Sequence, residues 1–177
     1  EYATTLGCKQ VNCLAGIAPT GVDAEKVHET FVANLRFAAS KLKEAGIRLL
    51  VEPINTFDIP GFHLNRTAQA IALIEEVGSP NLWLQYDIYH MQRMEGELAA
   101  TLQKHLPRIG HVQLADNPGR NEPGSGEINF DFLFAHLDRD LSAPKSGKNG
   151  RHPLPDAATF IAWLGAQGLK PSDQVVC

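Results

Sequence analysis

Between Asp23 and Asp116 the chain alternates helical and strand periodicity across short connections, and this alternation limits the fold more than any other feature of the 177 residues. Residues 23–45, DAEKVHETFVANLRFAASKLKEA, place Val27, Phe31, Leu35, Ala38 and Leu42 on one helical face, with Asp23 as N-cap and Gly46 as the stop. IRLLVEPIN (47–55) is a nearly continuous apolar run, the pattern of a parallel strand covered on both faces. A capped helix over 65–78, a strand over 81–90 (NLWLQYDIYH), a helix over EGELAATLQKHLPRI and a strand over GHVQLAD (110–116) follow, and GCKQVNCLAG (7–16) reads as an earlier strand. Repeated strand–helix–strand units predict a parallel sheet, either doubly wound or part of a (β/α)8 barrel. No glycine-rich phosphate fingerprint follows any strand.

Composition removes several function classes. Sixteen basic and twenty acidic residues give a net charge of −4, and no stretch gathers Lys and Arg on one face, so nucleic acid is not an expected partner. No apolar run approaches the roughly 20 residues of a membrane span, and no signal peptide is evident, which leaves a cytoplasmic enzyme as the expectation. Cys8, Cys13 and Cys177 lack metal-type spacing and read as reduced structural thiols.

The polar residues fall at the carboxyl ends of the expected strands: Glu52, then Asp87 with His90, then Gln113 with Asp116. Barrel enzymes place their chemistry at that end. Each residue has a plainer alternative, since a strand-end carboxylate also caps a helix or pairs with an arginine, and His90 also reads as a core histidine. Together, Glu52, Asp87 and Gln113 offer two anionic oxygens and one amide oxygen, a hard donor set suited to Mg²⁺ or Mn²⁺. His90, three residues beyond Asp87, is expected within reach of a substrate held there. In the loop NPGRNEPGSGEIN, Arg120 is a candidate bidentate partner for a substrate carboxylate, equally readable as a solvated loop charge.

The segments VEPINTFDIPGFHL (51–64), LQYDIYHMQRMEGEL (84–98) and IGHVQLADNPGRNEPGSGEINFDFLF (109–134) closely resemble the hydroxypyruvate isomerases, TIM-barrel relatives of the ketose 3-epimerases and of endonuclease IV. The resemblance covers roughly residues 1–139. It implies a partial TIM barrel without the first βα units and the last strand, and an aldose–ketose isomerisation of hydroxypyruvate to 2-hydroxy-3-oxopropanoate, a small hydroxy-keto acid. It also implies that Glu52, Asp87 and Gln113 surround a divalent metal, that Glu52 is one of two acid/base glutamates, and that His90 contacts substrate. A partial barrel further implies strand edges open to self-association. A related sugar-acid isomerase or epimerase acting on a longer substrate stays open, and a nuclease related to endonuclease IV is the less favoured reading, because such a zinc site calls for more strand-end histidines.

Residues 140–177, DLSAPKSGKNGRHPLPDAATFIAWLGAQGLKPSDQVVC, contain no glutamate. From about residue 135 the sequence instead resembles the N-terminal part of a rhodanese or mercaptopyruvate sulfurtransferase, without a catalytic cysteine loop; Cys177 ends an apolar run. The expectation is therefore a chimera, with an isomerase segment over 1–139, a rhodanese-like fragment over 140–177, and impaired activity or none.

Overall fold

The computed structural model describes residues 1–142, with side chains through residue 137. Its elements are α1 (Tyr2–Thr5), β1 (Gln10–Cys13), α2 (Ala24–Glu44), β2 (Arg48–Val51), α3 (Thr67–Val77), β3 (Leu82–Asp87), α4 (Ile88–Met94), α5 (Leu98–His105), β4 (Ile109–Gln113) and α6 (Phe130–Ser142). The four strands form one parallel sheet in the order β1-β2-β3-β4, so each strand lies beside its sequence neighbour, as in a barrel wall. The alternation read from sequence is present. The proposed rhodanese-like fragment lies outside the described residues, apart from 140–142, which continue α6 without a break across the expected boundary at 139.

Helix α2 begins where expected, because Asp23 accepts from the backbone N–H groups of Glu25 and Lys26. Its buried stripe is Val32, Leu35 and Ala39, with Phe31, Ala38 and Leu42 flanking it half-buried, a small rotation from the face read in sequence. That stripe packs in one cluster with Leu49 and Val51 of β2 and Leu82, Leu84 and Tyr86 of β3. Truncating a buried leucine of this kind costs about 2–5 kcal/mol.

The opposite face of the sheet holds Arg48, Leu50, Trp83 and Gly110. A Cβ added at Gly110 would lie 2.8 Å from Trp83 Cβ and 2.9 Å from Leu50 Cδ2, so the absence of a side chain lets these strands approach. The Arg48 guanidinium lies over the Trp83 ring, 4.9 Å from its centroid. On β3 the two-residue period carries this face to Gln85 and Asp87, and on β4 a register shift opposite Leu84 and Gln85 brings Gln113, paired with Asp87, onto it.

One boundary differs from the sequence reading. β3 stops at Asp87, and Ile88–Met94 is a helix, so His90 lies in the first turn of α4 rather than at a strand end. The cause is Asp87 itself, whose Oδ1 accepts from the backbone N–H groups of Tyr89 at 2.9 Å and His90 at 3.3 Å. No helix among the described residues is long and apolar enough to cross a membrane.

Candidate active site at the carboxyl ends of the strands

Glu52 follows β2 directly and is 4% exposed. Its Oε2 accepts from Asn12 Nδ2 of β1 at 2.6 Å and from Gln85 Nε2 of β3 at 2.7 Å. The carboxylate is thus fastened on both sides through one oxygen, which leaves Oε1 for other partners. Burial, reinforced by the neighbouring Asp87 carboxylate and opposed by the two amide donors and Arg120, pushes its pKa up to about 7.

Asp87 is divided in the same way. With Oδ1 committed to capping α4, Oδ2 faces His90 Nε2 at 3.6 Å and Arg120 Nη2 at 3.4 Å. Both plainer alternatives considered from sequence are present, the helix cap on Oδ1 and the arginine partner on Oδ2. His90 Nε2 also lies 3.9 Å from Glu52 Oε1, and one donor atom from each of Glu52, Asp87 and His90 falls within 4.8 Å of the others. All three residues are buried, and burial holds the His90 imidazole below its ordinary pKa against the raising effect of Asp87.

Gln113 ends β4 beside Asp87, and its Oε1 accepts from Gln85 Nε2 at 2.9 Å. One amide therefore links Glu52 to Gln113 across β3. Arg120 sits at φ 57° in the loop after β4, with its guanidinium over the Tyr89 ring and 3.3 Å from His90 Nε2. The structure thus brings together five of the six polar residues singled out in the sequence, Glu52, Asp87, His90, Gln113 and Arg120, and turns the sixth, Asp116, to the loop after β4.

The loop carrying Arg120 is organised by Asp116, which is wholly buried. Its carboxylate accepts from the backbone N–H groups of Asn117, Gly124, Gly126 and Ile128 at 2.8–3.1 Å. Burial pushes the Asp116 carboxyl up, but the four donors outweigh it and hold the group below the usual carboxylate range. On the other side, Asp58 accepts from Tyr89 Oη at 2.9 Å and pairs with Arg93.

Sequence reasoning did not assign the supporting amides. Gln85 was detectable in principle, since it lies two residues before Asp87 and so on the same face of β3. Asn12 and Asn55 carry no such local signal.

This end of the sheet gathers buried carboxylates, amides, an imidazole and a guanidinium. The chain spans about half to three fifths of the length of the relatives named here. A hydroxypyruvate isomerase of Escherichia coli is 59% identical over 134 residues, covering 76% of this chain and 52% of that protein. A 2-oxo-tetronate isomerase of Cupriavidus necator is 41% identical over 138 residues, covering 78% and 53%. A human putative hydroxypyruvate isomerase is 43% identical over 170 residues, covering 93% and 61%. Among solved structures, a family 2 AP endonuclease from Brucella melitensis superposes with a TM-score of 0.76 at 35% identity, covering 93% of this chain and 63% of that one. A D-allulose 3-epimerase from Methylomonas gives 0.66 at 25% identity, covering 78% and 48%. The family model described as xylose isomerase-like TIM barrel matches residues 1–143, and with the parallel sheet and its strand-end carboxylates it places the chain in that family.

Proposed function

We propose that this chain carries the active site of an aldose–ketose isomerase that interconverts hydroxypyruvate and 2-hydroxy-3-oxopropanoate through an enediolate. The observation that carries the reading is Glu52: a buried carboxylate with a pKa near 7, fixed through one oxygen and open at the other, has the properties of a general base working near neutrality. Glu52 takes a proton from the substrate CH₂OH carbon, the electron pair forms the carbon–carbon double bond of the enediolate, and the former carbonyl oxygen becomes the oxyanion. Return of a proton to the former carbonyl carbon, with transfer of the proton on the terminal oxygen to the oxyanion, gives the aldehyde and its neighbouring hydroxyl. Arg120, held over Tyr89, binds the substrate carboxylate.

The oxygen donors of Glu52, Asp87 and Gln113 fit a hard divalent cation such as Mg²⁺ or Mn²⁺. When bound, such an ion supplies Lewis-acid stabilisation of the enediolate. Residues 140–177 contain no glutamate and so offer no second base of that type, and net turnover by this chain is proposed to be low. The same reading takes that segment as a rhodanese-like fragment without a sulfur-transfer site.

A second substrate has a specific observation behind it, the 41% identity to a 2-oxo-tetronate isomerase. Abstraction of a proton needs only one base, so the test is solvent deuterium exchange at the carbon next to the carbonyl, with Mg²⁺ or Mn²⁺ supplied, in hydroxypyruvate and in 2-oxo-tetronate. Exchange above the uncatalysed rate that Glu52→Gln removes supports the proposal, and the faster substrate identifies the reaction. Absence of Glu52-dependent exchange with both substrates overturns it in favour of a non-catalytic fragment.

A further inference from the structure

Asn55 lies just beyond β2 and is wholly buried. Its side-chain oxygen accepts from two backbone donors, Phe57 N at 3.1 Å and Asp58 N at 2.8 Å. Turning the amide over would lose both bonds and set two N–H groups against its NH₂, so the orientation is settled by the network. The NH₂ end donates to Asp58 Oδ2 at 2.9 Å, and it lies 2.6 Å from Nδ1 of His90, which is 2% exposed.

An amide NH₂ has no lone pair to offer. In the Asn55–His90 contact the imidazole Nδ1 must therefore be the acceptor, and the proton of the neutral ring must sit on Nε2. Nε2 is the atom that faces the site, 3.6 Å from Asp87 Oδ2, 3.9 Å from Glu52 Oε1 and 3.3 Å from Arg120 Nη2. A neutral ring accepts from only one of its two donor neighbours, and the Asn55 amide is the closer, 2.6 Å against 3.3 Å, and the one whose orientation is settled by its other bonds. A nitrogen that carries a proton has no lone pair for a metal. Glu52, Asp87 and His90 are close enough together to suggest a three-ligand cation site, yet the tautomer excludes His90 from it.

We infer that Asn55 is a positioning residue that fixes His90 in its Nε2–H tautomer, making His90 a neutral hydrogen-bond donor into the site and not a metal ligand. The tautomer rests on the shorter of the two donor contacts to the ring, 2.6 Å from Asn55 against 3.3 Å from Arg120. Its use, donation to the substrate oxygen on which negative charge develops, rests on the isomerase reading.

Nitrogen–proton correlation spectra of the isotope-labelled 177-residue chain, taken where the ring is neutral and with His90 assigned by loss of its signals in His90→Gln, read the tautomer directly. The expected wild-type result is Nε2–H, unchanged by added Mg²⁺ or Zn²⁺. In Asn55→Asp combined with Asp58→Asn, which avoids facing two carboxylates, the new acceptor should draw the proton to Nδ1, while Asp58→Asn alone keeps it on Nε2. Loss of the donor should lower Glu52-dependent deuterium exchange by about 10²-fold in the double variant. A wild-type Nδ1–H tautomer, or removal of the Nε2 proton by a bound metal, overturns the inference without need of any variant. If no chain exchanges deuterium while the spectra come out as expected, the isomerase reading fails and the tautomer lock stands.

Discussion

Gln85 Nε2 reaches Glu52 Oε2 across the strand boundary at 2.7 Å and Gln113 Oε1 at 2.9 Å, so one amide sets the spacing between the residues that end β2 and β4. The bond to Glu52 favours the ionised carboxylate. Gln85→Leu removes that support and leaves desolvation less opposed, so the Glu52 pKa should rise further above about 7. In the proposed mechanism Glu52 is a base only when ionised, so the rising limb of the pH–exchange profile should move to higher pH. An unmoved limb would show that the amide does not tune Glu52.

Glu52 should also weaken the fold at neutral pH. Its pKa of about 7 in the folded state stands above the ordinary 4.5, so the native state holds a proton that the unfolded chain has released in between. The stabilising contribution is fully present below about 4.5, declines as pH rises, and is gone above about 7, a loss on the order of 3 kcal/mol. Glu52→Gln keeps an oxygen for Asn12 and Gln85 and carries no titrating proton. Urea melts on either side of that window should show the variant gaining on wild type as pH rises, and a constant difference would contradict the assignment.

Asp116 has the opposite pH signature. Its pKa is depressed in the folded state, so its contribution is present above the ordinary carboxylate value of 3.8 and disappears as pH falls through the lower folded value. Asp116→Ala strands four backbone donors. Bonds to a charged acceptor are worth about 1.5–3 kcal/mol each, though not additively, so a loss of at least about 3 kcal/mol is expected, with the Arg120 loop released. Gly126→Ala tests the same loop by steric means, since its Cβ would fall 2.2 Å from Asn117 O and 2.7 Å from Asp116 Oδ1. Hydrogen exchange confined to 117–128 would report the release. Near wild-type melting of both variants would refute this account.

Arg120→Lys preserves the charge and loses the planar fork and the stack over Tyr89. Hydroxypyruvate binding should weaken about tenfold, corresponding to about 1.4 kcal/mol. Titration calorimetry checks this against a neutral analogue lacking the carboxylate, whose affinity should not change. Equal losses for both ligands would remove Arg120 from carboxylate recognition.

The strand ends show why the candidate site was so largely visible beforehand. A carboxylate directly after an apolar run, as in LLVE or LQYD, is costly to bury without a use, so Glu52 and Asp87 stand out in one dimension. Gln113 stood out by its place at the end of an expected strand, and Arg120 by its loop chemistry. His90 was found for a mistaken reason. Ile88 and Tyr89 extend the strand-like pattern past Asp87, and only the cap formed by Asp87 Oδ1 turns the chain into α4 and aims the imidazole back at the site.

By itself, the sequence determined the βα alternation, the polarity of the strand ends and the acidic character of the site, because these follow from periodicity and from the cost of burying charge. The tertiary structure alone decided which amides meet which carboxylates. Asn12 and Glu52 are 40 residues apart, Asn55 and His90 are 35, and Gln85 and Glu52 are 33. The Asn12–Glu52 and Gln85–Glu52 contacts depend on the register of parallel strands, where a shift of one residue would turn a strand side chain to the opposite face, and the Asn55–His90 contact depends on how the segment after β2 meets α4. That register is fixed by packing the apolar sides of α2 and α3 against β2 and β3, an energy shared across the whole core and written in no single segment.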